Sequence, residues 1–403
     1  MRRPRSPLLA LLAALTACTG QPGLDAEARP KAPSVPVPPP PAPEPAASPP
    51  LIAAQALADQ PTADAPAPQR SPPEAPLELT FVGDIIFGRY RDDGYDPIPG
   101  PDEHPFEEIR PLLAADLVVA NLETPLARVL PDRSPIGTIY RFGAAAEMTA
   151  HLVDAGISAV SLANNHFYDL RVQGMTETPA ILREHGIVPL GAGRSEEPLF
   201  RVETLESKGW RVGVIAVSTR RNAPDFDHAP RLPFSPAREL AQHLGPLLRE
   251  AAADHDALLV FIHWGDEYID EPAKIQQTAA RQLIDLGAAA VIGHHPHVLQ
   301  GLERYKGGLI AYSLGNFLFE NTGEIPRLTG VLRLRLAAPR GCIERATFHP
   351  AYIKRSPSPH PVPAQKTMGK VVRARMEALS KKLGAALERE GEDLILQGFD
   401  CPT

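Results

Sequence analysis

Side chains able to bind a metal or move a proton recur at one kind of place in this sequence, the carboxyl end of a short apolar run. Asp84 ends LELTFVGD, Asn121 and Glu123 end DLVVANLE, and Asn164, Asn165 and His166 end ISAVSLANNH. His263 closes the apolar part of ALLVFIHWG, with Glu267 just beyond it. His294, His295 and His297 follow AAAVIG. Taken singly, each has an ordinary explanation: Asp84 could cap a helix, and Asn164–Asn165 could make a turn. Five runs that all deliver carboxylate, amide or imidazole groups form a constellation that core packing does not explain. These donor types suit Zn, Mn or Fe, as one or two divalent ions. No cysteine joins them, which disfavours a structural zinc site. Two ions about 3.5–4 Å apart would clamp the attacking and leaving oxygens of a hydrolysis. An unperturbed histidine titrates near pH 6.5, so His166 suits protonation of a leaving group while Asn165 faces a metal. Arg89 could bind an anionic substrate group or make a surface salt bridge. Asn121, Glu267 and Asn316 are the other expected substrate contacts, although Asn316 could instead close a turn. Trp264 and Tyr268 read as core.

The elements that must position these groups are strands. Each run is continuously apolar and rich in Val, Ile and Leu, the pattern of a strand covered on both faces. Helical patterns separate several of them, at 144–155, 175–185, 237–253 and 272–286. That alternation predicts an α/β domain. Further strands are expected at 210–218, 308–316, 330–336 and 343–353, and an amphipathic helix at 370–390. In open α/β sheets ligands bind beyond the carboxyl ends of the strands, where these polar residues lie.

The chain has 403 residues and a formal net charge of -7. No basic excess exists to bind phosphates by counterion release, which argues against a nucleic-acid partner. Its 46 prolines are about twice the usual usage of roughly 5%. Many of them fall in a Pro/Ala-rich stretch, 19–76, that cannot form helix or sheet ladders and reads as a disordered, semi-rigid spacer. Before it, Arg2, Arg3 and Arg5 precede a short apolar run and then LTAC. Residues 1–18 therefore read as a signal peptide, too short in its apolar part to remain as a membrane span. LTAC resembles a lipobox, which implies cleavage before Cys18 and lipidation of its thiol, and so an exported protein anchored to the bacterial cell envelope. The remaining cysteines, Cys342 and Cys401, either form a disulfide or stay as two thiols.

The strings FVGDIIFGR, VVANLETPL, SLANNHFYDL, VFIHWGDEY, VIGHHPHVLQG and YSLGNFLF, in this order, resemble the signature blocks of the CapA capsule-synthesis (poly-gamma-glutamate) family. That family is similar to calcineurin-like metallophosphoesterases. The resemblance implies an α/β two-sheet sandwich flanked by helices over 77–355, with metals at one sheet edge. Residues 356–403 would then be a linker and a helix packing on the domain. The resemblance further implies a ligand set of Asp84, Glu123, Asn165, His263, His295 and His297, with His166 as the leaving-group acid. Two positions depart from the superfamily pattern. Ile86 stands where its opening Asp-x-His motif has histidine, and Glu123 stands in place of a bridging aspartate.

The strand-end residues point to a metal-dependent hydrolase of phosphoester or amide bonds, and the family resemblance implies an anionic envelope polymer or its precursors as substrate or partner. The rival reading is a non-catalytic assembly or export component of a capsule polymer machinery that keeps the same fold.

Overall fold

A computed structural model describes residues 71–100, 102–192, 197–223, 230–320, 323–339 and 341–399. The expected signal peptide, its Cys18 and most of the spacer lie outside the described residues, as does Cys401. Cys342 is disulfide-bonded. No described helix is long and apolar enough to cross a membrane.

The apolar runs form the centres of two sheets. In the first, Leu77–Ile85, Leu117–Leu122, Ala159–Ser161 and Val188–Leu190 lie side by side and parallel. The sheet continues antiparallel through Leu328–Ala337 and Cys342–Lys354. In the second, Trp210–Ser218, Ala257–His263, Ala290–His294 and Gly308–Ala311 are parallel, with antiparallel strands at both edges. Both sheets contribute to one apolar core, where Phe81 meets Phe261 edge to face at 5.7 Å.

Strand alternation explains how the second sheet is covered. Along Ala257–His263, Leu259 and Phe261 face the core between the sheets, whereas Leu258, Val260 and Ile262 face outward. The outward set packs against Leu240, Leu244 and Leu248 of one helix (Leu240–Ala251) and Ala279, Ala280 and Leu283 of another (Lys274–Asp285). The α/β two-sheet arrangement flanked by helices is therefore present as the sequence implies.

Three expectations need correction. The helix expected at 144–155 is a short strand, Ala144–Ala145, then a 3-10 turn and the helix Thr149–Asp154. The helix expected at 370–390 runs from Lys366 to Lys382 and stops before Gly384, whose φ of 82° ends it. Residues beyond it form a hairpin, Glu388–Glu390 with Asp393–Leu396, that joins the first sheet through Cys342–Lys354. His360–Pro363 also pairs with that strand. The segment read as linker and helix thus adds strands to the domain.

The third correction bears on the site. The run 308–316 is not one strand. Gly308–Ala311 belongs to the second sheet, and Asn316–Leu318 pairs with Leu77–Ile85 in the first. The chain changes sheet through Gly315, at φ 66°. This crossing needs close backbone approach. A Cβ on Gly83 would lie 2.0 Å from the Gly315 carbonyl oxygen, and one on Gly293 would lie 2.0 Å from that of Tyr312. Backbone atoms at such distances cannot yield as a side chain can. Gly83→Ala is therefore expected to destabilise the fold by about 1–3 kcal/mol, as overpacking does, measured as a fall in thermal midpoint. An unchanged midpoint would mean that the crossing is not tightly constrained.

Candidate metal centre

Sheet register brings the strand-end residues together. Asn316, Asp84, Asn121 and Ser161 align across the first sheet, and Ser218, His263 and His294 across the second. The polar ends of both rows meet where the sheets converge. Asn121 Nδ2 donates to Asp84 Oδ1 at 2.8 Å and to Glu123 Oε1 at 3.2 Å, and lies 3.4 Å from His263 Nδ1. His263 Nε2 is 2.7 Å from Asn165 Oδ1. His297 Nδ1 is 3.2 Å from Asp84 Oδ2 and 2.9 Å from Asn316 Oδ1. Asp84, Glu123, Asn165, His263, His295 and His297 are all buried, and they come from five separate segments.

The electrostatics follow from burying like charges together. Burial, reinforced by the Asp84 carboxylate, pushes Glu123 well above the usual carboxylate range. Burial also acts upward on Asp84, but the hydrogen bond and charge of His297 outweigh it and hold Asp84 low. Burial lowers His263 far below its ordinary value and His295 to about 3, and neighbouring histidines add to both. His297 behaves oppositely. Burial acts downward on it, but the Glu123 and Asp84 carboxylates raise it to about 9.

Asp84, Glu123 and His297 bring ligand atoms within 4.8 Å of one another, all from buried residues. Glu123 Oε2 is buried with no hydrogen-bond partner, a cost that a cation would relieve. Paired carboxylates with an imidazole suit a divalent transition ion, so these residues fit a metal. A second group, Glu267 with His295 and His297, meets the same 4.8 Å limit.

The other expected site residues are placed as follows. Asn121 and Asn316 are fully buried among the ligands rather than facing an open surface. Asn316 spends its amide on the carbonyls of His297 and Pro326, both at 3.1 Å. Arg89 pairs with Glu320 at 2.8 Å, which realises the salt bridge considered for it. His294, between His263 and His295, turns its Nε2 to the Val82 carbonyl at 3.1 Å and stacks on Phe261. Trp264 is core, stacked on Tyr312. Tyr268 departs from expectation: it is half-exposed, tilted beside His297 at 6.1 Å.

One residue escaped the sequence reading. Asp169 is buried, and its Oδ2 lies 2.7 Å from His166 Nδ1 and accepts the Phe142 amide at 2.7 Å. Through this contact it fixes the orientation of the His166 ring. The i, i+3 spacing from His166 was the available signal. Phe142 covers His166 at 4.1 Å and Phe319 covers His297 at 4.8 Å, and the two phenyl rings meet edge to face at 5.9 Å. This apolar wall runs from His166 to His297.

The profile of a family described as "Bacterial capsule synthesis protein PGA_cap" matches residues 78–321, which hold every ligand named above. The chain belongs to this family. It is 29% identical over 267 residues to the capsule biosynthesis protein CapA of Bacillus anthracis, covering 63% of this chain and 62% of that one. It is 32% identical over 259 residues to the PGA biosynthesis protein CapA of Bacillus subtilis, covering 60% and 63%. The match therefore spans less than two thirds of either relative. Among solved structures, similarity extends to a hypothetical protein from Thermus thermophilus, with 20% identity, TM-score 0.39 and coverage of 71% of this chain and 98% of that one. A 5'-nucleotidase from Candida albicans shows 13% identity and a TM-score of 0.37, covering 65% and 48%.

The raised His297 sets a pH dependence. Its proton must leave before the ring can act as a ligand. Metal affinity of the stripped protein is expected to weaken by about tenfold per pH unit as pH falls below about 9. Calorimetry in buffers of different ionisation enthalpy should register at least one proton released per ion at pH 7, from His297 and, where Glu123 is also protonated, from its carboxyl. The protonated ring also stabilises the metal-free fold fully below pH 6.5, a contribution lost as pH rises through about 9. Affinity flat from pH 7 to 9 would refute this assignment.

Proposed function

We propose that this protein is a metal-dependent hydrolase acting on an anionic polymer of the cell envelope, or its precursors, in capsule synthesis or processing. The observation that carries the reading is the conjunction of a buried Asp84–Glu123–His297 ligand group with a His166–Asp169 pair, linked by the Phe142–Phe319 wall. A non-catalytic scaffold has no use for a buried, unpaired carboxylate oxygen beside an oriented proton donor. Family membership places the chain among capsule synthesis proteins. Lipid anchoring through Cys18 and contact with a capsule synthesis or export complex belong to the same proposal.

A divalent ion held by these residues would polarise a phosphoryl or carbonyl oxygen and lower the pKa of water. The chain's own groups supply the rest. His166 gives a proton from Nε2 to the departing oxygen or nitrogen, and Asp169, at Nδ1, keeps that tautomer and steadies the imidazolium. Phe142 and Phe319 exclude water from one side. A cleft of about 690 Å³ lies where Arg89, Arg91 and Arg141 come together with Tyr140. Arg141 directly precedes Phe142, and Glu320, the partner of Arg89 and Arg91, directly follows Phe319. Guanidinium groups there suit carboxylate or phosphate groups of a chain-like substrate.

The test is turnover of phosphoesters and gamma-linked glutamyl peptides by the purified full-length chain, with metal content measured alongside. His166→Ala is expected to lower turnover by about 10²–10⁴-fold with metal content unchanged. Asp169→Asn should show a smaller loss with a displaced pH profile. A metal-loaded wild type inert toward both substrate classes would favour the assembly role.

A further inference from the structure

We propose that Glu267 is a metal ligand, forming with His295 and His297 an outer seat for a divalent transition ion at the solvent edge of the deep group. The inference rests on the metal-centre reading above and assigns Glu267 a different role from substrate contact. Its ligand oxygen lies within 4.8 Å of a ring nitrogen of each histidine. Glu267 is exposed, whereas His295 and His297 are 6% and 5% exposed, so the three donors span the boundary between solvent and interior.

Three further observations point to a ligand here. His295 Nδ1 is buried and has no hydrogen-bond partner. The neighbouring Asp266 pairs with Arg220, but among the described residues no lysine or arginine pairs with Glu267. The Glu267 carboxylate therefore faces two imidazoles with no lysine or arginine beside it, as a metal ligand would. The loop is also held in place. The Tyr268 amide donates to the Pro296 carbonyl at 2.8 Å, so the residue after Glu267 is tied to the residue between the two histidines. His295 and His297 themselves take φ of 95° and 57°, and Tyr268 takes 60°, a region that side-chain-bearing residues seldom occupy.

The deep and outer groups share His297. Once neutral, the His297 ring offers a single lone pair, at Nδ1 or Nε2 according to its tautomer. His297 then serves one seat at a time. Glu267 is the exposed carboxylate that can capture an ion before burial, and the deep group has no exposed member of its own.

The experiment is Mn2+ titration of metal-stripped, purified full-length protein by calorimetry, comparing wild type with Glu267→Gln and Asp266→Asn. Glu267→Gln is expected to weaken binding by about tenfold or more, while Asp266→Asn, which removes an equal charge one residue away, stays within about twofold. Because Glu267 is exposed, the thermal midpoint of the stripped protein should not move. Equal losses in both variants would reduce Glu267 to a field effect and overturn the proposal. Unchanged binding in Glu267→Gln, with tight wild-type binding, would overturn it while leaving the metal centre intact. Absence of binding in wild type would remove the metal centre and this inference together.

Discussion

Two carboxylates buried within reach of each other govern this structure. Asp84 and Glu123 end neighbouring parallel strands, and Asn121 donates to both. Desolvation alone would neutralise such a pair. The fold answers with a charged His297 from the opposite sheet, which holds Asp84 ionised while Glu123 is pushed up. Burial works the other way on His263 and His295 and favours their neutral forms. The surroundings favour positive charge at His297 and disfavour it at His263, His294 and His295. A divalent cation fits this pattern as the replacement for one proton.

The parts legible in the sequence were those that local periodicity controls. Parallel strands buried on both faces write themselves as apolar runs, and their carboxyl ends converge by topology. That pattern marked a pool of strand-end polar residues, and the family resemblance then narrowed it to Asp84, Glu123, Asn165, His263, His295 and His297. What stayed illegible depended on partners far away in sequence. The run 308–316 reads as one strand because Leu309–Tyr312 and Leu314 give it an apolar stretch with no evident break. Only the close approach of Gly315 to Gly83 divides it between two sheets. Asp169 follows an asparagine-rich turn whose geometry brings it under His166, and no periodic pattern announces that. The region 370–390 keeps helical composition past Lys382, yet its last residues pair with a strand near 394.

Asn121 and Asn316 show a related limit. Residue type and position marked both as polar groups at the site, but not whether they face substrate or ligand. Their amides are consumed by Asp84, Glu123 and the His297 carbonyl. They act as braces that fix carboxylate and imidazole orientation, as outer partners of metal ligands do. Arg89 is similar, since its ion pair with Glu320 ties the residue after Phe319 to the hairpin Gly88–Pro97.

The crossing at Gly315 carries a consequence for the order of assembly. Asp84 and Glu123 belong to one sheet, and His297 follows a strand of the other. The short path Tyr312–Asn316 carries the chain between them. A nascent chain that has built either sheet alone holds only part of the donor set. If the deep group takes an ion as proposed, capture there follows docking of the two layers. On that proposal, metal occupancy would certify that folding has finished.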